Sequence, residues 1–385
     1  MLGAQISVRY NKDKKNKIYL DIGRFPSNLK HALVAGIFKA GDKSLAANYR
    51  PISLTNHLGK LLEKVVRQDI IDHLDRNGLW DNRQHGSRAG RSTVSQLLDH
   101  YDTILETMET GQNMDTIYLD FSKAFDKVDH YILVQKVKNM GIGGNLGKWI
   151  GTFLMGRTQS VKIEGIVSDK IEILSEVPQG SVLGPILFLI YIADIGSKSK
   201  SKAYIYVDDS KVLSNIRGEE DVEFCQNDLE NYYYWAKSNN MSFNDTKFVV
   251  LRYGKDASIK ENTSYFTDGM GLIIEEKEAH KDLGILMSSS GKFSDHISEV
   301  TKKVKKKINW ICRTFISRDL EVMRRLYVTQ VRPLIDYCAQ VWAPCEGPEL
   351  DRVERLLYNY TKLCPSIRHL PYSERLKAMS LMSVQ

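Results

Sequence analysis

Two adjacent carboxylates, Asp208 and Asp209, stand between two short runs of strand-forming residues in the stretch 203–213. This pattern predicts a β-hairpin with an acidic tip. Carboxylates that project together from a tight turn repel each other unless a cation neutralises them, so the pair suits a hard divalent metal. Asp is also an ordinary turn residue, and the pair alone does not distinguish a metal site from a plain turn.

A second acidic strand end lies upstream, where the apolar run 116–119 is followed by Asp120 and Phe121. Two such strands side by side would bring Asp120, Asp208 and Asp209 together. Three carboxylates can hold two Mg²⁺ ions roughly 3.5–4 Å apart, the spacing that activates an attacking oxygen and steadies a leaving one in phosphoryl transfer. The sequence therefore predicts a nucleotidyl transferase.

Hydrophobic periodicity predicts the elements that must position these residues. Helices are predicted at 58–74, 92–108, 130–140, 146–154, 181–195 and 219–239, strands at 33–39, 248–253 and 281–287, and a hairpin from 160–166 and 171–177. Ser92 is predicted to cap its helix. Asp126, Asp129 and His130 are interpreted as cap and turn residues, not as metal ligands.

Blocks of residues in a fixed order along the chain resemble the polymerase motifs of non-LTR retrotransposon reverse transcriptases, of the jockey-like LINE class. The resemblance extends from about Phe25 to about Cys364 and includes 48–55, 84–92, 118–130, 177–185, 206–209, 281–284 and 331–337. Three positions depart from the family pattern: Ser87 replaces the usual Phe, Gly36 the usual Pro, and Phe248 the usual Cys.

The resemblance implies an α+β fold, the right-hand polymerase with fingers, palm and helical thumb. We expect a mobile basic leader at 1–24 and fingers at 25–114. The palm, which contains the reverse transcriptase core, is expected at 115–290. A helical thumb-like region, which could be truncated, is expected at 291–385.

The resemblance also implies roles for residues near the carboxylates. Asp120, Asp208 and Asp209 would be catalytic and would bind the metal together with Phe121. Phe125 matches the aromatic position under the nucleotide sugar, where a ring leaves no room for a 2′-hydroxyl. The alternative for Phe125 is a plain core position.

Further residues match positions that contact the nucleotide in this family. Arg50 and Lys39 would meet the incoming triphosphate, for which a guanidinium is well suited, although Arg50 could instead form a surface ion pair. Gln179 and Gly180 would border the nucleotide and the templating base, where glycine permits close approach of the backbone. Lys247 would approach the departing pyrophosphate or remain a solvated lysine at a strand edge.

Positive charge is concentrated in the C-terminal quarter. The net charge is +7, and residues 292–385 contain 17 Lys or Arg against 10 Asp or Glu. Apolar residues repeat at steps of three and four over 293–315, which predicts a helix. Its outward face carries Lys302, Lys303, Lys305, Lys306 and Lys307. Such an excess can serve solubility alone; beside a polymerase site we interpret these lysines, with Arg88 and Arg91, as nucleic-acid-binding residues.

The composition also bears on the compartment. The five cysteines are odd in number and scattered, which argues against a disulfide framework or a zinc site and favours a reducing intracellular compartment. We expect a nuclear or cytoplasmic ribonucleoprotein. The longest apolar stretch, about 182–195, is too short for a membrane span.

We therefore expect an RNA-directed DNA polymerase that uses two Mg²⁺ ions, or Mn²⁺, with template RNA, a DNA primer and dNTPs as its partners. One alternative is a decayed element copy that only binds RNA and duplex. The other is an RNA-dependent RNA polymerase, which Phe125 and the pair Tyr206-Val207 before the carboxylates disfavour. The sequence indicates no membrane association and no particular protein partner.

Overall fold

The computed structural model describes residues 20–254, 263–268, 271–343 and 347–383. Most of the predicted basic leader at 1–24 therefore lies outside the described residues. The α-helices are α1 His57–Arg76, α2 Thr93–Glu109, α3 His130–Asn139, α4 Gly144–Leu154, α5 Gly184–Ile192, α6 Glu219–Ser238, α7 Ser294–Thr314, α8 Leu320–Leu326, α9 Arg332–Asp336, α10 Ala339–Trp342, α11 Pro348–Thr361 and α12 Tyr372–Ala378. The β-strands are β1 His31–Phe38, β2 Tyr49–Leu54, β3 Asn113–Leu119, β4 Arg157–Ile163, β5 Ile166–Val167, β6 Ile171–Ile173, β7 Lys202–Tyr206, β8 Asp209–Ile216, β9 Val249–Tyr253, β10 Glu275–Glu276, β11 Ala279–Asp282 and β12 Ile285–Ser288.

A five-stranded sheet with the order β10-β9-β3-β8-β7 carries both acidic strand ends. β3 lies between β8 and β9 and is antiparallel to both, while β7 and β8 form the predicted hairpin. Every residue of β3 is buried, as expected for a central strand in a sheet that is covered on both faces.

Residues from the two faces of this sheet enter two hydrophobic cores. Ile117 and Val212 pack with residues of α1, α3, α4, α5 and α6. Met114, Tyr204 and Leu213 pack instead with residues of α2 and the C-terminal helices. Successive side chains of a strand point to opposite faces, so one sheet joins the two cores and holds the acidic strand ends between them.

A second sheet contains β1 and β2 of the predicted fingers together with β4, β5 and β6, which lie in the range predicted as palm. β1 and β2 form an antiparallel hairpin, β4 pairs in parallel with β1, and β6 pairs antiparallel with β4. The hairpin predicted from 160–166 and 171–177 is present with different bounds: its strands are β4, which begins at Arg157 and ends at Ile163, and β6, which ends at Ile173, the partner of Arg157. Local periodicity does not reveal the parallel pairing of β1 with β4, since the two strands are distant in sequence.

The prediction of one continuous strand at 281–287 is wrong. Leu283 and Gly284 both have positive φ angles, 46° and 92°, and they turn the chain between β11 and β12, which pair antiparallel. Positive φ at both central residues is the requirement of the two-residue hairpin turn that matches strand twist. The result is a hairpin beside α7.

The helix predicted at 293–315 is confirmed as α7, which buries Ile297, Val300, Val304 and Ile311 along one face. The helix predicted at 181–195 is shorter than expected, because α5 begins only at Gly184. Within the described residues, no helix combines the length and apolar character needed to cross a bilayer.

Candidate active site

The tip of the β7–β8 hairpin presents the two adjacent carboxylates. Tyr206 pairs with Asp209 across the hairpin, so Val207 and Asp208 are the two turn residues. Val207 has a φ of +60°, a conformation that β-branched residues rarely adopt. Asp209 is the first residue of β8, and the two carboxylates therefore lie at the end of the central sheet.

Asp120 reaches the same end of the sheet from the neighbouring strand. Leu119 pairs with Ser210 in the antiparallel β3–β8 register, which places the next residue, Asp120, beside Asp209. The backbone carbonyl of Asp120 accepts a hydrogen bond from Asn244 N at 2.8 Å. The structure thus brings Asp120, Asp208 and Asp209 together, as the two strand ends predict.

The three carboxylates influence one another. Burial, together with the charges of Asp208 and Asp120, raises the pKa of Asp209 to about 6. Burial also raises the pKa of Asp208, with a further contribution from Asp120, while Arg50 and Lys247 oppose the shift. Asp209 as a whole residue is exposed to solvent. Its side chain nevertheless lines a cavity, where other protein groups surround it. The cluster is a region of unfavourable negative charge, which a cation would relieve.

A lysine already neutralises one of these carboxylates. Lys247 Nζ lies 2.6 Å from Asp120 Oδ2, with 53% of the lysine side chain and 29% of the aspartate side chain exposed. Lys247 ends a short 3₁₀ turn, Asp245–Lys247, that leads into β9. The predicted interpretation of Lys247 as a solvated strand-edge lysine is therefore incomplete, because its ammonium contacts the acidic cluster directly.

The donor set fits a hard divalent metal. Phe121 forms an isolated antiparallel bridge with Phe243, and the flanking bonds run from Ser122 N to Ser242 O and from Asn244 N to Asp120 O. In such a non-hydrogen-bonded pair, the carbonyl of the bridging residue points away from its partner, here toward the β8 side. The Phe121 side chain is buried against Phe243, with ring centroids 4.5 Å apart, so only its carbonyl could join the carboxylates as a ligand.

The carboxylates do not form a closed cage. In the part of the chain that the structure describes, no three metal-ligating His, Cys, Asp or Glu side chains converge tightly enough to enclose an ion. The chemistry of the donors fits Mg²⁺ or Mn²⁺, both of which prefer carboxylate and carbonyl oxygens.

A cavity of about 390 Å³ opens beside the carboxylates. Its lining includes Asp120, Asp209 and Lys247, together with His280 and Lys281 of the β11–β12 hairpin. The β11–β12 hairpin thus borders the same cavity as the acidic cluster.

Phe125 is half-buried and stacks on Phe188 of α5, with ring centroids 4.4 Å apart and planes 18° apart. Its backbone carbonyl accepts a hydrogen bond from Val177 N at 3.0 Å. Helix α5 therefore supports the ring from one side, which leaves part of it accessible near the strand end of Asp120.

Gln179 and Gly180 connect this region to β2, a strand of the predicted fingers. Gln179 donates from Nε2 to Asp126 Oδ1 at 2.8 Å, and its carbonyl accepts from Ser53 N at 2.8 Å. Gly180 has a φ of +113°, and a Cβ at this position would lie 2.7 Å from the carbonyl oxygen of Ser53. Contact with the fingers backbone therefore already requires glycine here, independently of any ligand.

The two predicted triphosphate contacts lie at the β1–β2 hairpin. Arg50 pairs with Ile37 in that hairpin and is exposed. Its charge is close enough to Asp208 to oppose the rise in the pKa of that carboxyl. Lys39 follows β1, and its backbone N donates to Asn48 O at 2.8 Å. The structure thus places Arg50 within electrostatic reach of the acidic cluster.

Arg88 and Arg91 lie in the loop before α2, where each makes a local contact. Arg88 donates to Asp81 O at 3.0 Å and stacks over Trp80, with 5.7 Å between its Cζ and the ring centroid. Arg91 Nη1 lies 3.1 Å from His85 Nε2. Both arginines are only partly exposed, so a part of each side chain serves the loop itself.

The lysines of α7 differ in their surroundings. Lys303 pairs with Glu299 at 2.6 Å, and Glu299 also pairs with Lys281 at 3.0 Å. Lys307 lies over Trp310, 5.0 Å from the ring centroid. Lys305 instead lines a groove of about 280 Å³ between α7 and α11. At about 100° per residue, Lys303 and Lys305 point to opposite flanks of α7, while Lys302 and Lys306 are exposed between them.

Sequence reasoning missed a buried charge cluster behind the site. Lys211, two residues after Asp209, forms an ion pair with Asp282 of β11, and the two side chains are 3% and 6% exposed. His100 Nδ1 of α2 lies 3.4 Å from Asp282 Oδ2. Burial and the Lys211 charge lower the pKa of His100 to about 4, so this histidine is neutral at pH 7. The cluster connects the catalytic strand to the β11–β12 hairpin.

Residues 37–309 match the sequence profile of a protein family described as "Reverse transcriptase (RNA-dependent DNA polymerase)". The chain belongs to this reverse transcriptase family. The resemblance to jockey-like reverse transcriptases is confirmed by relatives from mobile elements of Drosophila melanogaster. A probable RNA-directed DNA polymerase from transposon X-element is 26% identical over 349 residues. The RNA-directed DNA polymerase from mobile element jockey is 27% identical over 350 residues.

Each of these two alignments covers 88% of this reverse transcriptase chain and 38% of the relative. The chain thus spans well under half the length of the relatives it matches. Among solved structures, a telomerase from Candida albicans in complex with a TWJ fragment of telomeric RNA superposes with a TM-score of 0.51. The two share 12% identity, and the match covers 94% of this chain and 66% of the telomerase chain. The predicted right-hand polymerase fold of class α+β is confirmed.

Proposed function

We propose that this chain is the RNA-directed DNA polymerase of a non-LTR retrotransposon and that Asp120, Asp208 and Asp209 bind the divalent metals of the reaction. The observation that carries the proposal is the register of β3 with β8, which places Asp120 beside the Asp208–Asp209 turn. Membership of the reverse transcriptase family supplies the reaction class.

Bound Mg²⁺ ions would activate the primer 3′-hydroxyl and neutralise the charge that develops on the phosphates. Asp120 and Asp208, with the carbonyl of Phe121, would hold these ions, and Asp209 would complete the cluster. Lys247, next to Asp120, would exchange this carboxylate for the departing pyrophosphate.

The nucleotide would lie between the fingers hairpin and the acidic cluster. Arg50 and Lys39 would contact the triphosphate, and Gln179 and Gly180 would border the base. Phe125, supported from behind by Phe188, would lie under the sugar and reject a 2′-hydroxyl. The substrates would therefore be dNTPs.

The partners would be a template RNA and a DNA primer, in a nuclear or cytoplasmic ribonucleoprotein. The cavity between the carboxylates and the β11–β12 hairpin would receive the primer end. The lysines of α7, namely Lys302, Lys303, Lys305, Lys306 and Lys307, together with Arg88 and Arg91, would contact phosphates along the duplex and the template.

The test is extension of a DNA primer on an RNA template by the purified chain, with Mg²⁺ and with Mn²⁺, and with EDTA as a control. Incorporation of dNTPs on RNA that depends on the metal supports the proposal. Binding of primer-template with no incorporation under either metal favours the decayed copy instead. Preferential incorporation of ribonucleotides favours an RNA-dependent RNA polymerase.

A further inference from the structure

Gln84 is a buried residue that contacts the turn carrying the catalytic pair. Only 3% of the surface of this residue is exposed. Gln84 Oε1 accepts hydrogen bonds from Val207 N at 3.0 Å and from Gly86 N at 2.7 Å. Because both donors are backbone N–H groups, the acceptor must be the amide oxygen, which fixes the orientation of the side chain. Gln84 thus binds the residue that immediately precedes Asp208.

The segment around Gln84 is attached to β7 by backbone hydrogen bonds. Ile205 N donates to Arg83 O at 2.9 Å, and His85 N donates to Ile205 O at 2.8 Å. Gln84 forms a parallel bridge with Ile205. The Arg83 side chain is held in turn by Asp81 and by the carbonyl of Gly196. Gln84 therefore projects toward the turn from a fixed backbone.

The turn needs an external contact because the β-branched residue Val207 occupies it. Val207 is the first of two turn residues and has a φ of +60°, at a position where a hairpin turn with one positive φ favours glycine. A β-branched residue in this region is strained and persists only when its surroundings hold it there. Gly86 permits the close approach, since a Cβ at this position would lie 2.6 Å from Val207 Cγ2 and 2.7 Å from Val207 N.

We infer that Gln84 is a positioning residue for the polymerase reaction. By holding Val207 in its left-handed conformation, Gln84 sets the direction in which Asp208 and Asp209 project toward Asp120. This inference rests on the proposed function, because it assigns Gln84 a role in arranging the carboxylates of that same site. Gln84 itself does not touch the reacting atoms.

The experiment compares Gln84→Leu with the double variant Gln84→Leu/Val207→Gly. Leucine keeps the approximate volume of Gln84 but removes the acceptor, so the Val207 turn relaxes. We expect kcat for dNTP incorporation to fall roughly ten- to a hundredfold, because small displacements of reacting groups have effects of this size. The KM for primer-template should stay within about twofold, since binding to the thumb and fingers is unaffected. Glycine at 207 adopts positive φ without strain, so the double variant should recover most of the lost kcat.

Gln226→Leu is the matched control. Gln226 also uses its amide for two backbone contacts, accepting from Phe266 N at 2.9 Å and donating to Phe266 O at 3.0 Å. Its contacts join α6 to the segment around Phe266 and not to the catalytic turn. This variant should lower the thermal midpoint while leaving kcat near the wild-type value, which separates loss of stability from loss of positioning.

A second readout does not require polymerase activity. The rise in thermal midpoint on adding Mn²⁺, measured without nucleic acid, should shrink in Gln84→Leu and return in the double variant. If the wild-type chain does not polymerise, the proposed function fails, and the Mn²⁺ measurement still tests Gln84. If Gln84→Leu is insoluble, Gln84→Met replaces it in both backgrounds.

The inference is overturned if the single variant keeps both kcat and the Mn²⁺ response of the wild type. It is also overturned if Val207→Gly restores neither quantity, or if the double variant is itself insoluble, because the role of Gln84 would then be support of the fold alone.

Discussion

Lys247 Nζ lies 2.6 Å from Oδ2 of Asp120, so an ammonium group contacts a carboxylate that we propose as a metal ligand. A divalent cation must compete with this ion pair to reach Asp120. The pair is partly exposed, and such pairs contribute about 0–1 kcal/mol. The competition is therefore weak enough for a bound metal to displace Lys247.

Replacing Lys247 with Met should increase the affinity of the free chain for Mn²⁺. Removal of the competing ammonium should lower the Mn²⁺ concentration needed for half of the thermal stabilisation, by up to about fivefold. The measurement is the thermal midpoint as a function of Mn²⁺ concentration, with Lys162→Met as the control, because Lys162 is exposed on β4. An unchanged or weaker Mn²⁺ response in Lys247→Met would show that Lys247 does not compete with the metal.

Replacing Phe125 with Ala or Val should admit ribonucleotides. Removal of the ring that stacks on Phe188 opens the space beneath C2′ of the bound sugar, so the ratio of dNTP to rNTP use should fall in both variants. Incorporation of each nucleotide class is measured on the same primed template. If the ratio stays at the wild-type value in both variants, Phe125 is a packing residue and the sugar is selected elsewhere.

Replacing the five lysines of α7 with Gln should weaken primer-template binding for every sequence alike. Each phosphate contact that is lost should reduce the slope of log affinity against log salt by up to about 0.9 on B-form duplex. The packing face is untouched and Gln has nearly the helix propensity of Lys, so the helix content should hold. Binding is measured at several salt concentrations. One variant replaces Lys302, Lys303, Lys305, Lys306 and Lys307 together with Gln. The control variant replaces the exposed pair Lys162 and Lys170 with Gln.

The local environments refine this prediction. Lys303 is already paired with Glu299, whereas Lys302 and Lys306 are exposed on the same helix. Replacing Lys302 and Lys306 alone should therefore account for more of the change in slope than replacing Lys303 alone. Equal slopes for the fivefold variant and the wild type would assign these lysines to a solvated surface.

Replacing Asp282 with Asn should strongly destabilise the fold, because it leaves the buried ammonium of Lys211 unpaired. Loss of one partner of a buried pair typically costs about 3–5 kcal/mol, whereas replacement of both partners by apolar residues is often close to neutral. We therefore expect Lys211→Met/Asp282→Leu to recover most of the free energy of unfolding in urea titrations. Glu321→Gln, which breaks an exposed pair with Arg325, is the control and should cost at most about 1 kcal/mol.

The same pair predicts a dependence on pH. The charge of Lys211 holds the pKa of the Asp282 carboxyl below its usual range, so this carboxyl stabilises the fold above its unfolded pKa of about 3.9. That contribution is lost as the pH falls below this value. The double apolar variant should lose this part of the acid sensitivity, and a wild-type acid profile in that variant would contradict the assignment.

Elements with a local signal could be predicted from the sequence. The acidic hairpin tip follows from β-forming runs on both sides of two turn residues. Ser92 caps α2 by accepting from Ser95 N at 3.1 Å, and Asp129 caps α3 by accepting from Tyr131 N at 2.8 Å. Each of these features depends on side chains within a few residues, where sequence spacing determines geometry.

Contacts between distant segments could not be predicted in this way. A fully buried lysine is rare, and the position of Lys211 in β8 does not reveal that Asp282 will neutralise it. Gln84 gives no sign in the sequence that it will reach Val207. The turn at Leu283 lacks the Asn-Gly signal of a two-residue hairpin, so β11 and β12 were predicted as one strand. In each case the contact is produced by tertiary packing.

The most direct test of the proposed metal site is the rate of dNTP addition to a DNA primer on an RNA template in Mg²⁺, measured for wild type, Asp208→Asn and Asp169→Asn. Asp169 is exposed and does not line the cavity beside the carboxylates, so its variant serves as the control. Replacing one carboxylate with a neutral amide should lower the rate of Asp208→Asn by roughly a hundredfold or more, with primer-template affinity largely retained. Synthesis by Asp208→Asn near the wild-type rate would contradict the assignment of the carboxylates to the metals.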